Sequence, residues 1–280
     1  MKLHVETSIK SLGVRRVVDE LKKKYGDHSY EDSDIVVMHV NGRLEKNLQK
    51  AENILKDGKQ YIVVQYALKS TQKPKAADWI KLWRGARFVW SYYNIAAICK
   101  EEGITVDFRT CETPLGTRFE GSPKEQKNFI VTTSGLDYLT ESVKECVRAA
   151  KDCERRVFHV GPNLRIQNII YSDGLPDSEL IRHYEQCEFA SGLRRIEGFE
   201  LPAIEGLMCG ARPIVFNQPH YKKWYGNFAE YIDENDRESV YRDLYRLFKK
   251  GARPVTKDEI DSAKKLFNWD LILDVFNSTI

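Results

Sequence analysis

One stretch decides how this chain is interpreted. Residues 194–213 read Arg-Arg-Ile-Glu-Gly-Phe-Glu-Leu-Pro-Ala-Ile-Glu-Gly-Leu-Met-Cys-Gly-Ala-Arg-Pro, with Glu197 and Glu205 on the two sides of a Gly-Phe turn. A turn before an apolar helix places Glu197 on a loop and Glu205 inside the helix, and the free amides at the helix start are expected to face the same cleft. Carboxylates accept hydrogen bonds from hydroxyls, and a helix N-terminus favours a diphosphate. The stretch therefore suits a nucleotide sugar.

These residues resemble the signature of retaining glycosyltransferases of family 4, approximately Glu-Gly-Phe-Gly-Leu-Pro-x-x-Glu-Ala-Met-Ala-x-Gly-x-Pro-Val-Ile. Glu200 replaces the second glycine, and Gly206 replaces an alanine. The resemblance implies the α/β fold called GT-B, with two Rossmann-like parallel-sheet domains facing a central cleft. The positions that match the signature are Glu197, Gly198, Phe199, Leu201, Pro202, Glu205, Gly210, Pro213 and Ile214.

The resemblance also implies roles for single residues in binding the donor. Glu197 would contact the transferred sugar and be the main catalytic residue. The Gly198 turn and the backbone around Phe199 and Glu200 would help to hold that sugar, and Glu205 would bind the ribose hydroxyls.

The chain departs from the family in the loop after the first strand of the second domain. The family pattern there is Gly-Arg-x₄-Lys-Gly, whereas residues 132–140 read Thr-Thr-Ser-Gly-Leu-Asp-Tyr-Leu-Thr and contain no basic residue. A departing nucleoside diphosphate needs a cationic or dipolar partner. We expect Arg194 or Arg195 to supply it, helped by the Ser134 hydroxyl and the amides of Ser134 and Gly135. A surface salt bridge or an acceptor contact is the alternative role for the arginines.

Short β-rich runs alternate with helical patterns along the chain, which is typical of parallel sheets built from βαβ units. We predict an acceptor-binding domain over residues 1–120 and a nucleotide-sugar-binding domain over residues 121–262. Residues 263–280 are predicted to form a helical segment that packs back toward the first domain. The glycine- and proline-containing stretch 116–127 is the predicted linker.

Composition excludes several other classes of protein. The 280 residues have a net charge of +3 and an apolar content typical of globular proteins, and no charge-free apolar stretch is long enough to span a membrane. Six scattered cysteines without a CxxC pair favour reduced thiols, and the metal-ligand spacings of zinc sites are absent. We therefore expect a cytoplasmic protein with no metal and no cofactor besides its nucleotide-sugar substrate.

The first domain is the more basic of the two. Residues 1–120 hold 21 Lys and Arg against 16 Asp and Glu, whereas the remainder holds 23 against 25. This asymmetry suggests an anionic acceptor or surface, although chance imbalance on a solvated face explains it equally well. The candidate acceptor-binding residues are Gly13, His39, Lys73, Lys75 and Lys81. His39 follows an apolar strand, where a histidine is more often a hydrogen-bonded structural residue.

Residues 69–93 combine six cations with five Trp and Tyr residues and a single carboxylate, Asp78. Such a mixture could bind a nucleic-acid backbone and stack its bases, or lie on an anionic membrane. Packing of the tryptophans in the core is the alternative, because Trp79, Ile80 and Trp83 share one helical face. The residues concerned are Lys69, Lys73, Lys75, Trp79, Lys81, Trp83, Arg84, Arg87, Trp90, Tyr92 and Tyr93.

The sequence thus predicts a metal-independent glycosyltransferase that moves a sugar from a nucleotide diphosphate sugar to an acceptor hydroxyl, and the resemblance implies that configuration is retained. The acceptor is either a glycan or lipid-linked precursor, or a hydroxymethylated base in DNA. Because the diphosphate-binding Arg and Lys are missing, a catalytically weak nucleotide-sugar-binding subunit is the alternative function.

Overall fold

The computed structural model describes residues 2–6, 12–68, 75–124, 128–133, 141–167, 169–195 and 198–280. The chain folds into two compact units. The first comprises Met1–Leu115, Ile196–Phe199 and Trp269–Ile280, and the second comprises Gly116–Arg195 and Glu200–Asn268. The first unit therefore includes, besides its N-terminal part, a short segment that ends at Phe199 and the C-terminal helix region from Trp269 onward.

The first unit contains a five-stranded parallel sheet whose strands lie in the order in which they occur in the sequence. The strands are β1 (Leu3–Val5), β2 (Ile35–Asn41), β3 (Gln60–Ala67), β4 (Val89–Ser91) and β5 (Thr110–Glu112). The helices are α1 (Leu12–Tyr25), α2 (Leu44–Lys56), α3 (Ile80–Arg84), α4 (Ile95–Glu101) and, from the end of the chain, α11 (Trp269–Thr279).

Helices cover both faces of this sheet. Val89 belongs to a core cluster that includes residues of α2, α3 and α4. The adjacent side chains of Phe88 and Trp90 instead contact the Phe276 ring of α11, with ring centroids 5.1 and 5.0 Å apart. Because successive side chains of a strand point to opposite faces, α11 covers the face opposite to α2–α4. Burial on both faces explains why β2 and β3 read as nearly continuous apolar runs.

The second unit contains a six-stranded parallel sheet with the strand order β11-β10-β9-β6-β7-β8. Its strands are β6 (Phe129–Thr133), β7 (Arg156–Val160), β8 (Ile169–Ser172), β9 (Cys187–Gly192), β10 (Arg212–Phe216) and β11 (Glu230–Ile232). Its helices are α5 (Val143–Asp152), α6 (Asp177–Tyr184), α7 (Leu201–Met208), α8 (Pro219–Tyr225), α9 (Arg237–Lys250) and α10 (Lys257–Leu266). The presence of a parallel sheet in each unit confirms the predicted fold class.

Strand order in the second unit reverses between β6 and β9. The chain proceeds from β6 outward through β7 and β8, then crosses back and proceeds outward from β9 through β10 and β11. Connections on the two sides of such a switch point leave the sheet in opposite directions, and a crevice opens between them at the carboxyl ends of the strands. Ligands of open α/β sheets bind in this crevice. The strand order alone therefore locates a candidate site.

Some elements differ from the sequence-based expectation. The three-residue strand β11 and the helix α8 were not predicted, and only the last four residues of α10 fall within the helical segment predicted over residues 263–280. Short edge strands have too few residues to show an alternating pattern, and this explains why β11 was missed.

Candidate functional site

The switch point of the second unit lies next to the arginine doublet. Strand β6 ends at Thr133 and strand β9 ends at Gly192, and the two strands are paired neighbours in the sheet. Arg194 follows β9 by two positions and therefore starts at the carboxyl edge where the crevice opens. The structure thus places part of the predicted donor site where the topology of the fold expects a ligand.

Arg194 bridges several elements of the second unit. Its Nε lies 3.2 Å from Oε1 of Glu141 and 3.6 Å from Oε2 of Glu200. Its Nη2 donates a hydrogen bond of 3.3 Å to the Thr133 hydroxyl at the end of β6. The guanidinium is thus held between two buried carboxylates and the last residue of the central strand.

Glu200, the residue that departs from the family signature, is fully buried. The Tyr221 hydroxyl donates to its Oε1 at 3.3 Å. The Tyr225 hydroxyl accepts from the Glu200 amide at 3.2 Å and donates to its carbonyl oxygen at 2.7 Å. The side chain and backbone of Glu200 are therefore both anchored by α8.

Arg195 points to a different group of partners from those of Arg194. Its Nη1 lies 3.5 Å from Oε1 of Glu234 and 3.4 Å from the Asn235 carbonyl oxygen, and its guanidinium carbon lies 4.9 Å from the centre of the Phe216 ring. Burial raises the pKa of Glu234, while Gln218 and Arg195 act in the opposite direction. The two adjacent arginines therefore contact different elements: Arg194 lies beside the end of β6, and Arg195 lies beside the ends of β10 and β11.

Glu205 lies inside α7, as the sequence predicts, and is 3% exposed. The Tyr184 hydroxyl of α6 donates to its Oε2 at 3.3 Å. Helix α7 packs closely against β9, because a Cβ atom on Gly206 would lie 2.3 Å from the Cβ of Ala190. This close packing explains the glycine next to Glu205.

His159 of β7 is a buried neighbour of this site that the sequence reasoning missed. Its Nδ1 and the Thr132 hydroxyl are 2.9 Å apart. Burial lowers the pKa of His159 to about 4, and the positive charge of Arg194 lowers it further while Asp173 opposes the shift. The imidazole is therefore neutral at physiological pH and acts as a hydrogen-bonding group.

Several other predicted donor residues cannot be placed. Ser134, Gly135 and Glu197 lie outside the described residues. Thr133, Glu141 and Tyr221 join the site without having been predicted. Thr133 could have been identified as the end of a central strand, but Glu141 and Tyr221 carry no motif and reach the site only through the fold.

Gly198 and Phe199 are grouped with the first unit. The Gly198 amide donates to the Tyr66 carbonyl oxygen at 3.1 Å. A Cβ atom at Gly198 would lie 2.7 Å from that same oxygen and 2.7 Å from Cε2 of Tyr93, so no larger residue fits without rearrangement. The Phe199 ring lies 5.8 Å from that of Tyr92. The Gly-Phe turn therefore packs at the carboxyl ends of β3 and β4.

His39 of β2 belongs to the same aromatic group. Its Nδ1 lies 2.9 Å from the Tyr66 hydroxyl, and the Tyr66 and Tyr92 rings are 5.8 Å apart. Burial lowers the pKa of His39 to about 3, and the nearby charge of Lys50 lowers it further. His39 is thus a neutral, hydrogen-bonded residue near Phe199, whereas Gly13 lies in the first turn of α1.

The aromatic side chains of residues 69–93 lie in the core of the first unit. Trp79, Trp83, Trp90, Tyr92 and Tyr93 are each at most 5% exposed. The interpretation of these rings as a stacking surface for bases or lipid headgroups is therefore wrong, and the alternative of core packing is confirmed.

Two cations of the same stretch have counter-charges from elsewhere in the first unit. Lys81 lies 3.6 Å from a carboxylate oxygen of Glu52, and Arg84 lies 2.9 Å from one of Asp107. Lys75 is exposed, and Lys73 lies outside the described residues. The excess of Lys and Arg over Asp and Glu within residues 69–93 therefore overstates the positive potential around this stretch.

Two further properties concern only the described parts of the chain. None of their helices has the length and hydrophobicity of a membrane-spanning segment. No group of three or more His, Cys, Asp or Glu side chains within the described ranges is arranged to hold a metal ion.

Comparisons with known proteins identify the fold. Neither protein-family models nor curated sequences match the chain. Anabaena HepE, solved in complex with UDP and glucose, superposes with a TM-score of 0.70 over 99% of this chain and 98% of its own, at 9% identity. Sucrose-phosphate synthase from Thermosynechococcus elongatus gives a TM-score of 0.68 over 95% of this chain and 76% of its own, at 13% identity.

A third similar structure is the pneumococcal O-GlcNAc transferase GtfA in complex with UDP and GlcNAc. It has a TM-score of 0.66 and 13% identity over 95% of this chain, which spans 59% of GtfA. These neighbours are GT-B glycosyltransferases with two Rossmann-like units. The chain has the GT-B fold.

Proposed function

We propose that this protein is a glycosyltransferase that transfers a sugar from a nucleotide diphosphate sugar to an acceptor hydroxyl. The observation that carries the proposal is the position of Arg194 at the β6–β9 switch point, in contact with Thr133. Glu205 lies in the helix that follows β9, where the signature expects the ribose-binding carboxylate. The structures of HepE and GtfA, which share this fold, contain UDP with glucose or GlcNAc.

The chemistry requires little covalent participation from the protein. The donor breaks its bond between the anomeric carbon and the diphosphate while the acceptor oxygen forms a new bond to that carbon. The departing phosphate oxygen takes the acceptor proton on the same face, so configuration is retained without a protein nucleophile. Arg194 and the dipoles of nearby amides would stabilise the departing charge, and Glu197 would position the sugar.

For the acceptor, we favour a glycan or a lipid-linked precursor over a base in DNA. The aromatic rings that could have stacked on bases are buried, and Lys81 and Arg84 are paired with carboxylates of the same unit. Both observations remove support from the nucleic-acid interpretation, since backbone tracking and base stacking need exposed cations and rings.

A nucleotide-sugar-binding subunit with weak catalysis is the second candidate. The arrangement that favours it is the pairing of Arg194 with Glu141 and Glu200 and of Arg195 with Glu234. Paired carboxylates reduce the positive potential that each arginine offers to a diphosphate, and such a site would stabilise the leaving group less well.

A panel of nucleotide sugars tests both candidates. UDP-, ADP-, GDP- and TDP-sugars are added to the protein, and thermal unfolding is followed together with the release of nucleoside diphosphate. A ligand that binds only the folded state raises the unfolding temperature. We expect one base to stabilise the protein and its sugar conjugate to be slowly hydrolysed. Stabilisation without any release would favour the second candidate, and the absence of stabilisation by every donor would overturn both.

A further inference from the structure

Glu200 occupies a position where the family signature has glycine, and the surrounding chain has made room for it. A Cβ atom on Gly192 would lie 2.9 Å from the Cβ and 3.0 Å from the Cγ of Glu200. Gly192 is the last residue of β9, just before the arginine doublet. The absence of a side chain at Gly192 therefore leaves the space that the Glu200 side chain occupies.

The buried carboxylate of Glu200 needs compensation, because an unpaired charge away from water is strongly unfavourable. Arg194 and the Tyr221 hydroxyl supply it, at 3.6 and 3.3 Å from the two carboxylate oxygens. The same Tyr221 hydroxyl also lies 3.3 Å from the Arg194 carbonyl oxygen, so its single proton is shared between the two acceptors. Tyr221 therefore ties the side chain of Glu200 to the backbone of Arg194.

The carboxylates hold Arg194 from one side. Its Nε faces Glu141 and Glu200, while its Nη2 reaches Thr133 at the end of β6. The Arg194 side chain keeps 20% of its surface exposed, although Glu200 is fully buried. A guanidinium is a planar fork, so the ion-pair attraction at its Nε edge also restricts the direction of its terminal nitrogens. Nη2 lies beside the end of β6. In the family, the loop that follows this strand carries the Arg and the Lys that bind the diphosphate.

We infer that Glu200 is a positioning residue, which orients Arg194 so that its terminal nitrogens bind the diphosphate of the donor. This inference rests on the proposed function. It assigns to Glu200, Gly192 and Tyr221 the task of positioning Arg194 as the substitute for the basic residues that are missing from residues 132–140. The fully buried side chain of Glu200 would act on the donor only through Arg194, so its effect depends on the diphosphate and not on the nucleoside.

Glu200→Gln tests this inference, with Glu234→Gln as its matched control. Both substitutions remove the charge of a carboxylate that is paired with one arginine of the doublet, fully buried in the case of Glu200 and 11% exposed in the case of Glu234. Calorimetry would measure the affinity for the nucleoside diphosphate and for the bare nucleoside selected by the donor panel. We expect Glu200→Gln to weaken diphosphate binding about tenfold, to leave nucleoside binding unchanged, and to differ from Glu234→Gln, which changes neither. Equal effects on the two ligands would overturn the inference.

A double-mutant cycle separates positioning from a general structural effect. If Glu200 acts through Arg194, Glu200→Gln causes no further loss of diphosphate affinity when added to Arg194→Gln. Additive losses would overturn the inference. Tyr221→Phe is the second variant, in case Glu200→Gln does not fold. This substitution removes only the hydroxyl that ties Glu200 to Arg194. We expect it to lower diphosphate affinity, but by less than Glu200→Gln does, and to leave nucleoside affinity unchanged. Unchanged diphosphate affinity would count against the inference.

Binding to the wild-type protein separates the role of Glu200 from the proposed function. Wild-type binding of a nucleoside diphosphate combined with unchanged affinity in the variants would overturn only the role of Glu200. Failure of the wild type to bind any nucleoside diphosphate would overturn the proposed function itself, and the positioning role with it.

Discussion

The Nε atom of Arg194 lies 3.6 Å from Oε2 of Glu200, and this contact links the arginine doublet to the one residue that most clearly departs from the glycosyltransferase signature. The pair lies in the second unit, beside the last residue of β6. Glu200 replaces a glycine of the signature and places a carboxylate in the core, and the fold provides Arg194 as a nearby cation. The predictions below test what these residues and their neighbours contribute.

Glu205→Gln should weaken nucleotide binding. The carboxylate is assigned to the ribose hydroxyls, and a charge-assisted hydrogen bond contributes about 1.5–3 kcal/mol. Glutamine keeps the volume of this buried residue, so the fold should be retained. Calorimetry with the best nucleoside diphosphate measures the effect, and exposed Glu179→Gln on α6 is the control. Equal affinity of Glu205→Gln and wild type would refute the assignment.

Glu197→Ala should lower kcat more than nucleotide affinity. This residue lies outside the described part of the structure, and its role comes from the resemblance alone. A carboxylate that positions the sugar has little influence on the nucleoside. Steady-state kinetics and calorimetry with the nucleoside diphosphate would be compared. A parallel decrease of kcat and of diphosphate affinity would contradict the assignment.

Arg194→Gln should weaken nucleoside diphosphate binding more than Arg195→Gln does. Arg194 lies beside Thr133 at the switch point, whereas Arg195 lies beside Glu234 and Asn235. Loss of an ionic hydrogen bond to a phosphate should cost about 1.5–3 kcal/mol. Affinities for diphosphate and nucleoside, measured side by side, decide between the two arginines. A larger loss in Arg195→Gln would move the diphosphate to the ends of β10 and β11.

Replacing Lys75 and Lys81 together by glutamine should leave the acceptor KM and its salt dependence unchanged. Lys81 is near Glu52, and an exposed pair of this kind contributes only about 0–1 kcal/mol. Acceptor kinetics at low and high salt, with binding to duplex DNA and to anionic vesicles, provide the measurement. An increased acceptor KM with a flatter salt dependence would restore the anionic-acceptor interpretation.

Glu259→Gln should destabilise the protein at neutral pH and lose this effect in acid. Burial tends to raise the pKa of Glu259, but hydrogen bonds from Arg212, Arg253 and the Thr256 backbone outweigh it and lower this pKa to about 2. A carboxyl group with a lowered pKa contributes stability above its unfolded pKa, and this contribution disappears as the pH falls through about 2.

Urea unfolding at pH 7 and near pH 2 would test this expectation. At pH 7 the substitution should reduce the free energy of unfolding by about 1–3 kcal/mol, because Arg212 is fully buried and loses an ionic partner. Near pH 2 the difference should shrink. Asp261→Asn, on an exposed site of the same helix, is the control. An equal difference at both pH values would show that the ionised form of Glu259 is not what stabilises the fold.

The sequence by itself determined the fold class and the alternation of strands with helices. Apolar runs such as Ile35–Asn41 and Gln60–Ala67 are buried on both faces, so their pattern is local and can be read without knowing their neighbours. The signature likewise placed Glu205 inside a helix that follows a central strand. Such features depend on residues close together in the chain.

Only the tertiary structure decided the order of the strands and the partners of the charged side chains. Arg194 and Arg195 are adjacent in the sequence yet face Thr133 and Glu234, because successive side chains point in different directions and meet elements from distant parts of the chain. Because neighbouring side chains point in different directions, Trp83 is buried although cations surround it in the sequence. For the same reason Glu200 meets Arg194, a pairing that the sequence alone did not indicate.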